Sequence, residues 1–456
     1  MRRKKYGRII CVCLCLLFVS GCGRRASQDE IAKDLQNEET ASAGNADVDA
    51  DENMQAQENA HTEYEITGEK NSVITVDADI IGLDKLFDMH FYDVTCPEMD
   101  ETYIKSETES IFDKDTCEFY KPYNYSDAEE LARVKSALIS DCEAEEDPIT
   151  KRGMENELAQ VEQWEYYVQS EREETDVQLL GDVMYEETFA GGYQTHNVSA
   201  KGKIDGIPFT YEYFDSCGPE NADYFARVNL TRYDYIGETQ HVMLLSEEQL
   251  AAKMEDFPVS EEQAKGQAED FLERIGYTGF ACREIGYVEN MTRLANQEEK
   301  QDGYFLVYTR SLDGLTTVCC PGSILRCWMA GELQAAAEVI YVLVNEDGVI
   351  QVRKEGQFYS VASEGTKTES YLSWDQVEDA AVQFLQTFDM QTTISEIKLS
   401  YAYVQYQSGQ YCLVPVWSFY GASGLEGSHF IFGINAVDGE IIAGVYYMMV
   451  TDVFVL

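Results

Sequence analysis

Side chains able to do chemistry are plentiful in this 456-residue chain, but their spacing matches few reactions. Five histidines stand at 61, 90, 196, 241 and 429, far apart in sequence and with no HExxH among them. A zinc hydrolase needs neutral imidazoles converging on one ion, so no metal centre is expected. Gly421-Ala422-Ser423-Gly424 lacks the GxSxG spacing that lifts a serine onto a strand-to-helix turn, and it reads as a loop. The phosphate loops GxGxxG and GxxxxGK[ST] are absent, and no cofactor is expected. Glycoside hydrolysis asks only for two carboxylates about 5–10 Å apart. With 83 acidic residues any fold would offer such pairs by accident, so a carboxylate-based hydrolase ranks last among the readings. Asp47, Asp49, Asp51 and Glu58 fit a calcium-loop pattern, yet Glu52 stands where that loop turns on glycine, and no apolar helices flank it.

Cysteine is the remaining nucleophile, and one of the 13 has a distinctive setting. Arg2, Arg3, Lys4, Lys5 and Arg8 precede an apolar run from Ile9 to Val19, in which Cys11, Cys13 and Cys15 are apolar filler. That run is too short to span a bilayer as a mature helix. It closes on Val19-Ser20-Gly21-Cys22, which resembles a bacterial lipoprotein signal. The resemblance implies a diacylglyceryl group on the Cys22 thiol and a cut between Gly21 and Cys22. Two acyl chains give stable anchoring where one is marginal. The expected address is therefore the extracytoplasmic face of a cell membrane, with the chain held there through lipid on Cys22.

Removing residues 1–21 would take five of the 34 basic residues and none of the 83 acidic ones, leaving 29 against 83 and a formal charge of −54 in place of −49. So acidic a surface repels nucleic acid and anionic lipid, and nucleic acid is excluded as a partner. From Gly23 to Thr62 there is no aromatic residue, while Asp, Glu, Asn, Gln and Ala dominate. Such a segment cannot bury a core and reads as a disordered acidic tether over 22–62. Nine cysteines follow Cys22, with no CxxC, and they are expected mostly as buried thiols with one disulfide among them.

The elements that must position any site are clearer. Ser72 to Ile80 alternates and is β-branched, as a strand would be. Ser126 and Glu129 form a capping box ahead of Leu131, Val134, Leu138 and Cys142, and Met154, Leu158, Val161, Trp164 and Val168 mark a second helix. Tyr193 to Ile204 and Ile207 to Phe214 flank Asp205-Gly206 as a hairpin, and Tyr224 to Tyr235 reads as a further strand. Val445 to Tyr447 and Val453 to Val455 suggest strands near the C-terminal end.

A repeat follows residue 245. Val259-Ser260-Glu261-Glu262-Gln263 and Leu372-Ser373-Trp374-Asp375-Gln376 share a staple residue, a Ser N-cap and Gln at N3. Ala264, Ala268, Phe271, Leu272 and Ile275 line one helix, and Val377, Ala381, Phe384, Leu385 and Phe388 line the other with the same spacing. Tyr304 to Tyr308 then matches Tyr411 to Pro415, and each unit closes on a hairpin, at Val344 to Ile350 and at Ile434 to Ile442. At these residues the chain resembles PepSY-like modules, especially the outer parts of accessory regulators of cell-wall sensor kinases. The whole chain also resembles a set of uncharacterised lipoproteins of Gram-positive type. The expected class is α+β: a signal at 1–21, the tether, a mixed N-terminal domain at 63–245, and two helix-on-antiparallel-sheet units at 246–365 and 366–456. The resemblance implies a non-enzymatic, protein-binding or regulatory envelope lipoprotein. A solute or glycan binder using aromatic faces is the alternative. Arg310 and Trp417, at corresponding strand ends of the two units, are the candidate recognition surface.

Overall fold

Alternation at Ser72–Ile80 becomes β2, Val73–Ile81, with Ile74, Val76, Ala78 and Ile80 buried on one face and Asp77 and Asp79 exposed on the other. The structure is a computed structural model. It describes residues 60–443 apart from 96–99, 121–127, 168–175, 181–182, 191–192, 218–224, 236–238, 244–251, 255–256, 294–295, 319–337, 357, 363–364, 368–369, 389–390, 408–409 and 423–428. The chain divides into two units, Met1–Gln55 and Ala56–Leu456, and the description concerns the second. Cys22, the tether before Ala60, the calcium-like pattern, the Ser126 cap, His241, Cys319, Cys320, Cys327 and the strands expected at 445–455 fall outside the described residues or side chains. The last three residues expected in the tether, Ala60, His61 and Thr62, instead open the strand Ala60–Thr67, because β2 offers them a pairing edge that local composition does not reveal.

The architecture is α+β, with one mixed and one antiparallel sheet. Both Ser-capped helices form: α4, Glu261–Arg274, and α5, Trp374–Leu385. In each the serine side chain accepts from the N3 backbone while the N3 glutamine reaches back to the cap, so two orphan N–H groups of the first turn are satisfied. Ala264, Ala268, Leu272 and Ile275 are buried beneath α4, and Val377, Ala381, Leu385 and Phe388 beneath α5. Burying one large aliphatic side chain stabilises by roughly 1.5–3 kcal/mol, so each stripe fixes its helix against a sheet.

Each helix is followed by a four-stranded antiparallel meander. After α4 come β11 (Phe280–Arg293), β12 (Asn296–Leu312), β14 (Val339–Asn345) and β15 (Gly348–Gly356). After α5 come β17 (Thr392–Gln407), β18 (Gln410–Ala422), β19 (His429–Asn435) and β20 (Ile441–Ala443). Both hairpins expected at the unit ends are present. In each an asparagine carboxamide accepts from the backbone two residues on, Asn345 from Asp347 at 2.8 Å and Asn435 from Val437 at 3.0 Å.

The strands that complete these meanders come from elsewhere in the chain. β1 (Ala60–Thr67) pairs with β2, and β2 lies parallel to β17, so the leading strands belong to the eight-stranded sheet of the last unit. β3 (Tyr92–Thr95) joins the same sheet through β18. The twelve-stranded sheet continues from β15 into β9 (Phe225–Arg232), then β8 (Ile207–Cys217) and β7 (Tyr193–Ile204), followed by β6 (Val183–Ala190) and β5 (Asp176–Leu180). Strand pairing thus crosses the segment boundaries at 245 and 365 that the sequence suggests. The physical reason is that alternation specifies which face of a strand is buried and says nothing of which strand lies beside it.

The Asp205-Gly206 turn has φ of 50° and 81°, the doubly positive geometry that an Asp-Gly pair tolerates in a two-residue hairpin. Asp113 seals that turn by accepting from both its amides, and Arg274 at the end of α4 pairs with Asp113 at 2.6 Å and Asp205 at 3.0 Å. Those amides and the guanidinium hold the Asp113 carboxyl below its ordinary range. Helices α2 (Ala128–Ala144) and α3 (Pro148–Tyr167) pack through Leu131, Leu138 and Val161, as their stripes require.

Candidate functional site

Three polar clusters could do chemistry, and all are built from residues distant in sequence. The first lies where β12 leaves the large sheet. At Asp313-Gly314, with φ of 51° and 72°, the chain turns into β13 (Leu315–Thr316), and Leu312 and Leu315 pack against the core under α5. Thr317 then bridges Tyr401 in parallel register, and Val318 N–H donates to the Tyr401 carbonyl at 2.7 Å. A hairpin of the large sheet is thereby seated on the small one.

At its tip the Asp313 carboxylate accepts from Tyr401 Oη at 2.6 Å and Tyr92 Oη at 2.9 Å, and His90 Nδ1 lies 3.3 Å away. His90 N–H also donates to Tyr401 Oη at 3.2 Å, and Lys85 Nζ to the Gly314 carbonyl at 3.4 Å. Burial alone would raise the Asp313 pKa, but the two phenols, the imidazole and its charge together hold it below the usual value. Burial, followed by the Asp313 contact, pushes Tyr92 up to about 12, and the same causes raise Tyr401.

The second cluster holds Arg310. Its Nε lies 2.8 Å from Glu338 Oε2 and its Nη2 closes on the same oxygen, while Lys354 Nζ takes the other oxygen at 3.2 Å. Glu338 is fully buried, and the Arg310 side chain is 14% exposed. The guanidinium also rests on the Phe280 ring, 4.7 Å from its centroid, and the ammonium on Phe358 at 4.2 Å. Tyr359 beside them stacks on Tyr403 of β17 with centroids 4.3 Å apart, a further tie between the sheets.

The third cluster centres on the Tyr233-Asp234-Tyr235 turn. Tyr233 Oη and Lys201 Nζ meet the Glu157 carboxylate, and Arg152 and Arg232 pair with fully buried Asp234, each at 2.9 Å. Tyr235 Oη donates to Asp347 at 2.7 Å and accepts from Asn345 at 2.8 Å. Gly153 is needed here, since a Cβ would stand 2.3 Å from the Tyr233 ring. Each charge in this turn is met by an opposite one, the arrangement expected of a structural network.

Of the residues singled out by sequence, Trp417 is 1% exposed and packs edge-to-face on Trp374, with centroids 5.4 Å apart, inside the core under α5. Arg310 belongs to the other sheet, bound to Glu338. The structure does not bring the two together. The histidines follow a pattern that the sequence hid. Each of the three whose side chain is described lies against aspartate: His61 on Asp77 and Asp79, His90 on Asp313, His196 on Asp215. His196 Nδ1 and Tyr213 Oη meet the two oxygens of Asp215 at 2.8 and 2.6 Å. Among the described residues no group of three or more His, Cys, Asp and Glu could hold a metal ion. Burial raises the pKa of the described thiols Cys117, Cys142, Cys282 and Cys412, the last to about 12, which makes them poor nucleophiles. The Asp313-Gly314 turn carries the same Asp-Gly signal as residues 205–206, but nothing local in the sequence points to His90, Tyr92 or Tyr401.

No protein-family model and no curated protein matches the chain. Among solved structures it is similar to the crystal structure of an uncharacterized protein from Eubacterium rectale, with 11% identity and a TM-score of 0.43 over 86% of this chain and 94% of that one.

Proposed function

We propose that this chain is a protein lipid-anchored to the extracytoplasmic face of a cell membrane that binds another envelope protein through its tandem helix-on-meander units. The observation that carries the reading is the doubled unit itself: a Ser-capped helix followed by four antiparallel strands, repeated. The PepSY-like resemblance belongs to the same reading, as does attachment through Cys22. The three clusters above suit a binding scaffold, since their charges are largely spent on one another. In Arg310, Glu338 and Lys354, for example, both carboxylate oxygens are already engaged.

The test has two arms on intact cells. Labelling with a clickable palmitate analogue should mark the wild-type protein and fail on Cys22→Ala, which should leave the membrane fraction. Crosslinking on the membrane followed by mass spectrometry should join lysines of 246–443 to one envelope protein reproducibly. A Cys22→Ala protein that stays acylated and membrane-bound would overturn the anchor. Crosslinks confined to the chain itself, where known envelope complexes are captured, would overturn the binding role.

A further inference from the structure

The seated hairpin combines two features not explained by packing alone. Leu312 and Leu315 would hold it on the small sheet as apolar plugs, yet a carboxylate and an imidazole have been placed at its tip, both partly exposed. Side-chain exposure is 34% for His90 and 27% for Asp313, so both reach solvent and protons. We propose that this hairpin is a pH-sensitive clasp between the two sheets, tightened when His90 is protonated against Asp313.

The groups around the tip determine the sign. Asp313 faces His90, which precedes β3; Tyr92 on β3; Tyr401 on β17; and Lys85 through the neighbouring Gly314 carbonyl. Tyr371, ahead of α5, feels the Asp313 charge and that of Asp88, and Asp88 pairs with Lys367 at 3.9 Å. Asp313 is held below the usual carboxylate range, and Tyr92, Tyr401 and Tyr371 are held above the usual phenol range. An imidazole is the side chain whose charge ordinarily changes between pH 5 and 8. Protonated, His90 adds an ion pair to the two phenol hydrogen bonds; neutral, it leaves at most one further hydrogen bond. The clasp is therefore tight at acidic pH and loosens as pH rises.

The backbone behind His90 cannot follow a loosening tip. A Cβ on Gly365 would stand 2.5 Å from the His90 Cβ, so the 365–366 segment lies directly on it. Phe91 and Thr366 exchange both backbone hydrogen bonds at 2.7 Å. The moving partner is then the 312–318 hairpin.

Hydrogen exchange of the full chain, read by mass spectrometry at pH 5.5 and 8.0 with labelling times corrected for intrinsic rate, tests this. Peptides over 311–318 are compared with peptides over 339–356, which contain no histidine. The expected result is a loss of relative protection of about two- to fivefold at pH 8.0, the scale of a half-exposed ion pair. His90→Gln and Asp313→Asn should each make that ratio independent of pH. Because Asp313→Asn is isosteric and keeps one acceptor oxygen where the phenols donate, it serves if His90→Gln fails to fold. Relative protection unchanged with pH in the wild type, or the full pH dependence surviving in either variant, would overturn the clasp.

Discussion

Trp417 and Arg310 are residue types that suit a binding face, and both are held inside the protein. Trp417 is paired across β17 with Leu399 and across β19 with Ile434, beneath α5. Replacing it by alanine removes a fully buried indole and should cost about 3–5 kcal/mol, read as a fall in the urea midpoint, while Trp417→Phe should cost far less. Glu338 is the sharper case. With Glu338→Ala, Arg310 and Lys354 remain buried without their counter-charge, a loss of about 3–5 kcal/mol by the same measurement. Glu338→Leu should fare no better, since the cations remain. Triple replacement of Glu338, Arg310 and Lys354 by apolar residues should recover much of the loss. The sequence displays Arg310 as a charge two residues past an apolar strand, but its partner lies 28 residues away beyond β13, and no spacing rule connects them.

The legible elements are those whose stabilising partner is close in sequence. Ser260 and Ser373 find their N3 glutamines three residues on, and both capping boxes form as their spacing implies. Ser260→Ala and Ser373→Ala should each cost about 1 kcal/mol in urea unfolding, and Ser→Asp at either position should restore most of it. Asp205-Gly206 is equally local, because two positive φ values in a two-residue loop leave few residue choices. Strand partners were not legible. Ser72 Oγ donates to the Phe388 carbonyl 316 residues away, and β2 lies parallel to β17 across almost the whole described chain. A buried alternation such as Ile74, Val76, Ala78 and Ile80 fits any apolar sheet, so the choice of sheet rests on global packing. The same holds for the clasp, whose four polar residues come from His90, Tyr92, Asp313 and Tyr401.

At the scale of the whole molecule, the first described strands close the last sheet, and this sets how the protein should fail. β17 has β18 on one side and β2 on the other, and the core under α5 draws Ile74, Val76, Ala78 and Ile80 from β2. Without residues 60–81, the Thr392 to Lys398 stretch of β17 becomes an edge with unpaired backbone groups and an uncovered apolar face. The large sheet loses no strand by that deletion, since its strands run from β4 (Glu118–Tyr120) to β15. Limited proteolysis with mass spectrometry should therefore show new cleavage within 374–435 in the deleted protein while 193–232 and 339–356 stay protected. Val76→Asp, which buries one charge in the same core, should give a weaker version of the same pattern. If the deleted protein resisted cleavage like the full chain, β2 would be a dispensable edge and not the inner wall of the small sheet. Folding carries the same imprint: the small sheet cannot be completed until the C-terminal strands meet strands from the other end of the chain, and such non-local pairing is slow. Refolding followed at Trp374 and Trp417, which report the core under α5, should accordingly lag behind protection of the β7–β8 hairpin, whose strands are joined by two residues.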